Sequence, residues 1–529
     1  MIAWLQRQKL IKKGLACGKQ RRQMSEETWI DYCEHSTGFK IAILAMFTVL
    51  LYMCSFWGVR LDSYETPLLT FIVFFSGVML MRLDLPEIWN SNSRIILTQG
   101  AIWLNLFIAK AIFFWSFGQE YISQSEAFFL IPASFAPLTL GVMLGARAGL
   151  YAAVQVSLLN ALSINQSFSL LLISLITGFT AIYFTRRVRR RGDLVKAGMA
   201  IGIASLICAL AFGLVGGSQY PSLLRQAAIG IAVGIGTAIL VNAFLPILEY
   251  FFNIITDISW VELADLNHPL LRQMTIEAPG TYHHSLVVAN LLEAAALSIG
   301  LNGTKCRVMA YFHDIGKMIK PEYFTENIPA SENPHDNLSP SMSALIIIAH
   351  VKEGVDLALK SRLKKPVLDA IQQHHGDTLV YYFYKRAKQM ESDAKAGGKI
   401  MNMREDDIPE VAESSFRYPG PRPQTKEIAL LMLADAIEGA SRSLEKPTPQ
   451  RIESLVQEII EQKIQDHQLD ECDLTMKELH LVGESFTFTV KSMLHSRIRY
   501  PKDEKTSAPA SAQSAKKNPP SSGAATAAA

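Results

Sequence analysis

Charge is what this sequence lacks. Only 19% of its 529 residues are Asp, Glu, Lys or Arg, while 49% are hydrophobic; an ordinary soluble domain is about 25% charged. The deficit is local. From Ile95 to Phe184 the charged residues are Lys110, Glu120, Glu126 and Arg147 alone, too few for a stretch of that length to face water. A wholly soluble protein is thereby excluded. Cysteine is also sparse. The six, at positions 17, 33, 54, 208, 306 and 472, form no CxxC pair, which argues against a zinc knuckle or a disulfide framework and fits a reducing interior. A net charge of +3 gives no global basic excess of the kind a nucleic acid polymer attracts.

What fills the space is apolar runs. A helix needs about 17 to 25 predominantly apolar residues to cross a bilayer. Eight runs are candidates, from Ile41 to Val59, Pro67 to Met81, Ile95 to Phe117, Ala127 to Leu144, Ala148 to Ile164, Phe168 to Phe184, Ala197 to Gly216 and Ala227 to Leu248. The second is the shortest. Segment 1–40 is basic (Arg7, Lys9, Lys12, Lys13), and Arg186, Arg187, Arg189, Arg190 and Arg191 follow the sixth run, whereas the loops Gln119 to Ser125 and Asn165 to Ser167 hold no Lys or Arg. The excess of positive charge marks the cytoplasmic side. An even number of crossings then returns everything after Leu248 to the cytoplasm. The first run begins too far from the start for a usual cleavable signal, so it reads as an uncleaved span. Inside the third run, Asn105 and Lys110 stand evenly between a polar path and a side chain that snorkels to the headgroups. Gly230, Gly234 and Gly236 predict close helix packing.

After Tyr250 the composition changes. A linker helix over 251–269 leads into a charged, amphipathic region, 270–500, with apolar residues at three-and-four spacing in Leu286 to Ile299, Ile428 to Ile437 and Ile452 to Ile464; this is the periodicity of soluble helices. The fold class is all-α, a multi-pass domain over 41–250 followed by a helical domain. Glu484 to Val490 (ESFTFTV) is the one strand-like run. Residues 388–425, with Gly397, Gly398 and four prolines, read as a surface loop insert, and 501–529, rich in Ala, Ser and Pro, as a disordered tail.

Seven of the twelve histidines fall between His283 and His375. Imidazole and carboxylate without nearby cysteine suit a catalytic transition metal better than a structural zinc. His284, His313, Asp314, His350, His374 and His375 form the candidate set. Neighbours on a helix point about 100° apart, so His313 and Asp314 can serve adjacent ions with the carboxylate bridging.

Around these residues run the motifs APGTYHHS (278–285), YFHDIGK (311–317), NPHDNLSPSMSALIIIAH (333–350), HHGDTLVYYFY (374–384), FRYPGPRPQTKE (416–427) and MLADAIEGASRS (432–443). The ordered set resembles the bacterial membrane HD-domain cyclic di-AMP phosphodiesterases of the PgpH type, closely over Asn267 to Arg499 and by architecture before it. The resemblance implies two divalent transition metal ions, Mn or Fe, with His284, His313, Asp314 and Asp435 on one and Asp314, His350, His374 and His375 on the other. It implies catalytic roles for His313 and Asp314, with metal-activated hydroxide opening cyclic di-AMP to a linear 5′-phosphorylated dinucleotide. Lys317 is a candidate to neutralise phosphate, against a solvated surface lysine; Arg417 and Tyr418 are candidate substrate contacts, against a rigid proline-rich turn. His283 is expected at the surface or behind the ligands, and His335 and Asp336 near the site or in a turn. The expected partners are a cyclic dinucleotide and membrane lipid, with no nucleic acid polymer and with homodimerisation open. The expected location is the bacterial cell membrane, with the N-terminus and the HD domain cytoplasmic.

Two departures stand out. Relatives of this type carry a large extracytoplasmic domain after the first span, where this sequence has only about Arg60 to Thr66; and Asp377 follows HHG where a small hydroxyl residue is commoner, a change that bears on substrate preference. Competing readings are a nucleotide-binding receptor or scaffold without turnover, a nucleotide or alarmone phosphohydrolase, and a transporter with a regulatory HD domain.

Overall fold

The computed structural model describes residues 33–57, 65–117, 122–164, 166–186, 188–217, 219–328, 333–400, 411–444 and 447–495. The basic segment before residue 33 and the tail after 495, read above as cytoplasmic and disordered, lie outside the described residues.

The first assembly contains α1 (Thr37–Phe56), α2 (Glu65–Asp84), the single turn α3 (Pro86–Trp89), α4 (Asn92–Phe117), α5 (Gln124–Leu130), α6 (Phe135–Leu144), α7 (Ala146–Ser163), α8 (Phe168–Thr185), α9 (Arg191–Val215) and α10 (Tyr220–Phe251). Among the described residues seven segments are long and apolar enough to cross a membrane, with α5 and α6 counted together. The sequence suggested eight. The one too polar to count among the seven is α7, which contains Gln155, Ser157 and Asn160. These polar residues are tolerated because α7 is enclosed by its neighbours and all three are buried; a helix that does not touch lipid need not be apolar. It nevertheless runs the length of the bundle. At one end Gly145 and Ala146 line a cavity with Arg186 and Asp257, and at the other Ile164 packs with Phe113, Ala127 and Leu170. Elsewhere the outward faces present Met53, Leu83, Val215 and Phe244 unburied, as lipid contact requires.

Two polar residues of α4 are taken up by backbone. The fourth span is broken between α5 and α6, and Asn105 Nδ2 donates to the carbonyl of Pro132 in the break, at 2.9 Å. Lys110, fully buried, donates from Nζ to the carbonyls of Cys54 (3.0 Å), Ser55 (3.1 Å) and Trp57 (2.9 Å). It caps the C-terminus of α1, where the last carbonyls of any helix lack partners. Neither residue lines a path. Lys110→Ala should therefore destabilise the bundle by on the order of 3 kcal/mol, roughly two charged hydrogen bonds, read as a lower thermal midpoint of the full chain in detergent. Of the three glycines in α10, Gly230 and Gly234 meet α9 backbone or side chains at Ser205 and Gly202, while Gly236 faces open space.

The second assembly begins with α11 (Asp257–Leu263), α12 (Pro269–Glu277), α13 (Pro279–Ser298) and α14 (Gly303–Phe312), and continues through α15 (Pro340–Lys360), α16 (Lys365–Gln373), α17 (Tyr381–Ile400), α18 (Lys426–Arg442), α19 (Pro449–Gln465) and α20 (Met476–His495). Its core gathers Leu291, Leu292, Phe312, Ile371, Leu431, Val456 and Phe486. Two sequence readings change here. The strand-like ESFTFTV is helical, because Leu479, Val482, Phe486 and Val490 are buried on one face of α20. The loop expected from residue 388 starts later: α17 continues to Ile400, supported by Lys388 and Lys395 on Glu391 (3.0 and 2.8 Å), and residues 401–410 lie outside the described set.

The assemblies are joined tightly. Glu249 near the end of α10 accepts from the hydroxyls of Thr256 and Ser259, and Arg191 pairs with Glu262 at 2.9 Å. In α11, Ile258 belongs to the first core and Trp260 to the second.

Candidate metal centre

His284 stands on α13, His350 on α15 and Asp435 on α18, while His313 and Asp314 follow the end of α14 and His374 and His375 that of α16. Helix ends bring the two doublets inward. His313, His350 and His374 share one device: each Nδ1 donates to the carbonyl three residues earlier, of Ala310 (2.7 Å), Ile347 (2.5 Å) and Ile371 (2.8 Å). That bond fixes the ring and leaves Nε2 free to face the centre.

Asp314 lies in the middle and is buried. Its Oδ2 is 3.4 Å from His284 Nε2 and 3.1 Å from His313 Nε2; its Oδ1 is 3.4 Å from His350 Nε2 and 3.7 Å from His374 Nε2. Asp435 Oδ1 approaches His284 Nε2 at 3.0 Å, and its Oδ2 approaches His375 Nδ1 at 3.8 Å. Two groups result, His284, His313, Asp314 and Asp435, and Asp314, His350, His374 and His375, each with its ligand atoms within 4.8 Å of one another. Asp314 Oδ2 already meets the Lys317 ammonium at 2.7 Å, but Asp314 Oδ1 and the Nε2 atoms of His284 and His313 are buried without a hydrogen-bond partner. Such orphaned atoms are costly unless a cation answers them, so the residues fit a two-ion centre.

Protonation differs between the halves. Burial opposes charge on His284, yet Asp314, Asp435 and Glu438 outweigh it and hold its pKa well above the usual imidazole value. His313 is likewise raised against burial, by Asp314 and Asp435, to about 9. Burial, with Lys317 and His374 nearby, pushes His350 down to about 4, and burial with His374 depresses His375. At pH 7 His284 and His313 therefore hold protons, whereas His350 and His375 are neutral. Divalent metal entering the first group must displace those protons, so its affinity should rise by about tenfold per pH unit for each proton displaced, with the His313 contribution levelling off above about pH 9. Calorimetry in two buffers of different ionisation enthalpy should register this release; equal heats would contradict it.

Other candidates are placed as follows. Lys317 is partly buried, with Nζ 2.7 Å from Asp314 Oδ2 and 3.0 Å from Glu326 Oε1. Tyr418 lies against His375, ring centroids 4.3 Å apart, because the backbones pair at Tyr418 N to Thr378 O (3.0 Å) and Val380 N to Phe416 O (2.9 Å). Arg417 does not face the centre; its guanidinium meets Glu413, Asp466 and the carbonyl of Asp377. Asp377 is held by Arg422 (3.1 Å) and Gln468 (2.6 Å), so its carboxylate braces the loop. His283 is exposed. His335 is buried in a turn, bonded to the carbonyl of Tyr323 at 2.8 Å, and Asp336 faces Arg386.

Two participants escaped the sequence reading. Glu438 Oε2 lies 2.6 Å from His284 Nδ1 and orients that ring; its position one turn after Asp435 was an available signal. Glu326 had none, since it sits in the segment after YFHDIGK and reaches Lys317 only through the fold. Thr281 Oγ1 donates to it, and Asn327 caps the N-terminus of α13 through Gly280 and Thr281.

A helical multi-pass membrane domain followed by an HD hydrolase domain with two His and Asp clusters is the class this fold and site define. Two family models match in that order: a 7TM receptor with intracellular HD hydrolase over residues 60–256, and an HD domain over 281–440. The chain carries both of these domains and is homologous to the PgpH proteins. It is similar to the cyclic-di-AMP phosphodiesterase PgpH of Listeria monocytogenes serotype 1/2a (strain 10403S), 36% identical over 71% of this chain and 51% of that protein. It is also similar to that of Bacillus subtilis (strain 168), 34% identical over 71% and 52%. It thus spans about half the length of these curated relatives. The crystal structure of the L. monocytogenes PgpH HD domain in complex with cyclic-di-AMP is 40% identical, covering 43% of this chain and 99% of that one, with a TM-score of 0.39.

Proposed function

We propose that this protein is a membrane-anchored two-metal phosphodiesterase that hydrolyses cyclic di-AMP to the linear 5′-phosphorylated dinucleotide. The observation that carries this reading is Asp314, one buried carboxylate whose two oxygens face two different histidine groups. A pyrophosphohydrolase working on one ion has no need of the second group. When bound, two divalent ions, Mn or Fe, supply an activated water and offset charge on the phosphoryl oxygens. The chain does the rest. Lys317, with its ammonium between Asp314 and Glu326, orients the shared carboxylate; Glu438 sets His284; Tyr418 walls the side of His375, held there by a loop that Arg417 and Asp377 brace.

The topology supports a cytoplasmic catalytic domain. The 7TM family model over 60–256 encloses six of the apolar segments, and α7 makes the seventh; α1 precedes them. Eight passes from a cytoplasmic N-terminus place 186–191 and the HD domain on one side, in agreement with the Arg191 to Glu262 pair. The cell membrane of a bacterium is the corresponding location.

The test is turnover by the full chain in lipid nanodiscs with Mn, offered cyclic di-AMP, cyclic di-GMP and guanosine tetraphosphate separately. Linear dinucleotide from cyclic di-AMP is expected; metal-loaded protein that binds cyclic di-AMP without opening it would favour the receptor reading.

A further inference from the structure

The turn between α15 and α16 concentrates charge that no carboxylate in ion-pair contact neutralises. Lys360, Arg362, Lys364 and Lys365 fall within six residues, and among the described residues none has a carboxylate within ion-pair distance, although Asp356 and Asp369 flank them. Lys365 acts on Asp369 from beyond ion-pair distance, which leaves the placement of the others unexplained by local pairing. Lys360 suits the C-terminal end of α15, but Lys364 and Lys365 sit at the N-cap and first position of α16, the positive pole of that helix, where cations are disfavoured. Arg362 occupies a left-handed conformation, φ 56°, at a position after a helix where glycine is normally preferred. Leu359 beside them is 56% exposed.

The position of the turn gives the charge a use. Lys364 Nζ lies 5.9 Å from the ring centroid of Tyr250, in the last turn of α10, and Tyr250 and Phe251 are both exposed there. An aromatic pair at the end of a crossing helix marks the headgroup layer. The turn therefore lies at the depth of the lipid phosphates, with an exposed leucine among its cations.

We infer that the 359–365 turn docks on the anionic phospholipid headgroups of the cytoplasmic leaflet. Phosphate accounts for the four cations and the acyl boundary for Leu359. The contact reaches the metal centre through the chain: α15 carries His350, and α16 ends at His374 and His375, so the membrane surface holds the bend of the hairpin that presents three of the four ligands of the second group. The inference rests on the topology proposed above, not on the identity of the substrate.

The experiment compares the full chain in nanodiscs of phosphatidylcholine alone and of phosphatidylcholine with phosphatidylglycerol in a three to one ratio, by amide hydrogen exchange over residues 356–368. Slower exchange with phosphatidylglycerol is expected, with each cation contributing about fivefold to the docked population, and with high salt abolishing the difference. The combined variant Lys360→Gln, Arg362→Gln, Lys364→Gln, Lys365→Gln should exchange alike in both lipids while keeping its metal content. Equal exchange of the native chain in the two lipids, or lipid-dependent protection that survives the four substitutions, would overturn the proposal. A failure of the topology itself would appear separately, as protease access to the HD domain from outside intact cells.

Discussion

Asp314→Ala should reduce the proposed cyclic dinucleotide hydrolysis by at least about 10³-fold, beyond the roughly 10- to 100-fold that follows loss of a residue that only supports a ligand. The reason is that both ligand groups share this side chain. His284 and His313 lose the carboxylate oxygen at 3.4 and 3.1 Å, and His350 and His374 the one at 3.4 and 3.7 Å. Metal analysis distinguishes this from a local catalytic defect. Bound metal should fall below one ion per chain, whereas Glu438→Gln, acting on the outer nitrogen of His284 alone, should weaken one ion and spare the other. Asp314→Ala also leaves Lys317 facing Glu326, which keeps that partly buried ammonium paired and the domain folded. Circular dichroism unchanged from the native chain, with metal lost, is the expected pair of results; full activity would remove Asp314 from the chemistry.

Gly316→Ala is the second large effect, and it comes from packing. A methyl group at Gly316 would overlap the carbonyl oxygen of His350 and stand 2.5 Å from the backbone nitrogen of Gly354. Both obstacles are main chain in the middle of α15, so neither can rotate away. Overpacking of this kind costs about 1–3 kcal/mol, and relief by shifting α15 moves His350 with it. Misplacement by about 1 Å is worth on the order of 10²-fold in rate. The expected signature is loss of one ion per chain with the His284 group still loaded, together with a lower thermal midpoint. Retention of two ions at native affinity would show that α15 accommodates the methyl group.

These two residues also show how far the sequence could be read. HDIG was visible as a string, and the spacing of its doublet suggested a shared carboxylate. Why glycine stands there was not visible, because the atoms that forbid a side chain lie 34 and 38 residues further on, in another helix. The same limit explains Glu326 and Lys317. Their pairing depends on how 324–328 folds under α13, and no periodicity encodes that. Among the membrane segments, apolar length was enough where a helix faces lipid, as in α1, α9 and α10. It was a poor guide to α7, whose surroundings are protein, and it missed the break between α5 and α6, although Pro132 and Pro137 were there to be noticed. ESFTFTV misled for a related reason: in so short a window, alternation and helical spacing share residues, and only Leu479 and Val482 upstream decide between them.

The cap on α1 has a consequence for synthesis. The carbonyls of Cys54 and Ser55 wait for an ammonium that is 56 and 55 residues later in the chain. While the ribosome is still extending the second hairpin, α1 has no permanent partner for its outer end, and water or lipid headgroups must serve. Only when α4 enters the bilayer and delivers Lys110 can the first helix settle at its final depth. The opening four helices are thus completed as one event, and an arrested nascent chain that stops short of residue 110 would hold α1 in a position it does not keep.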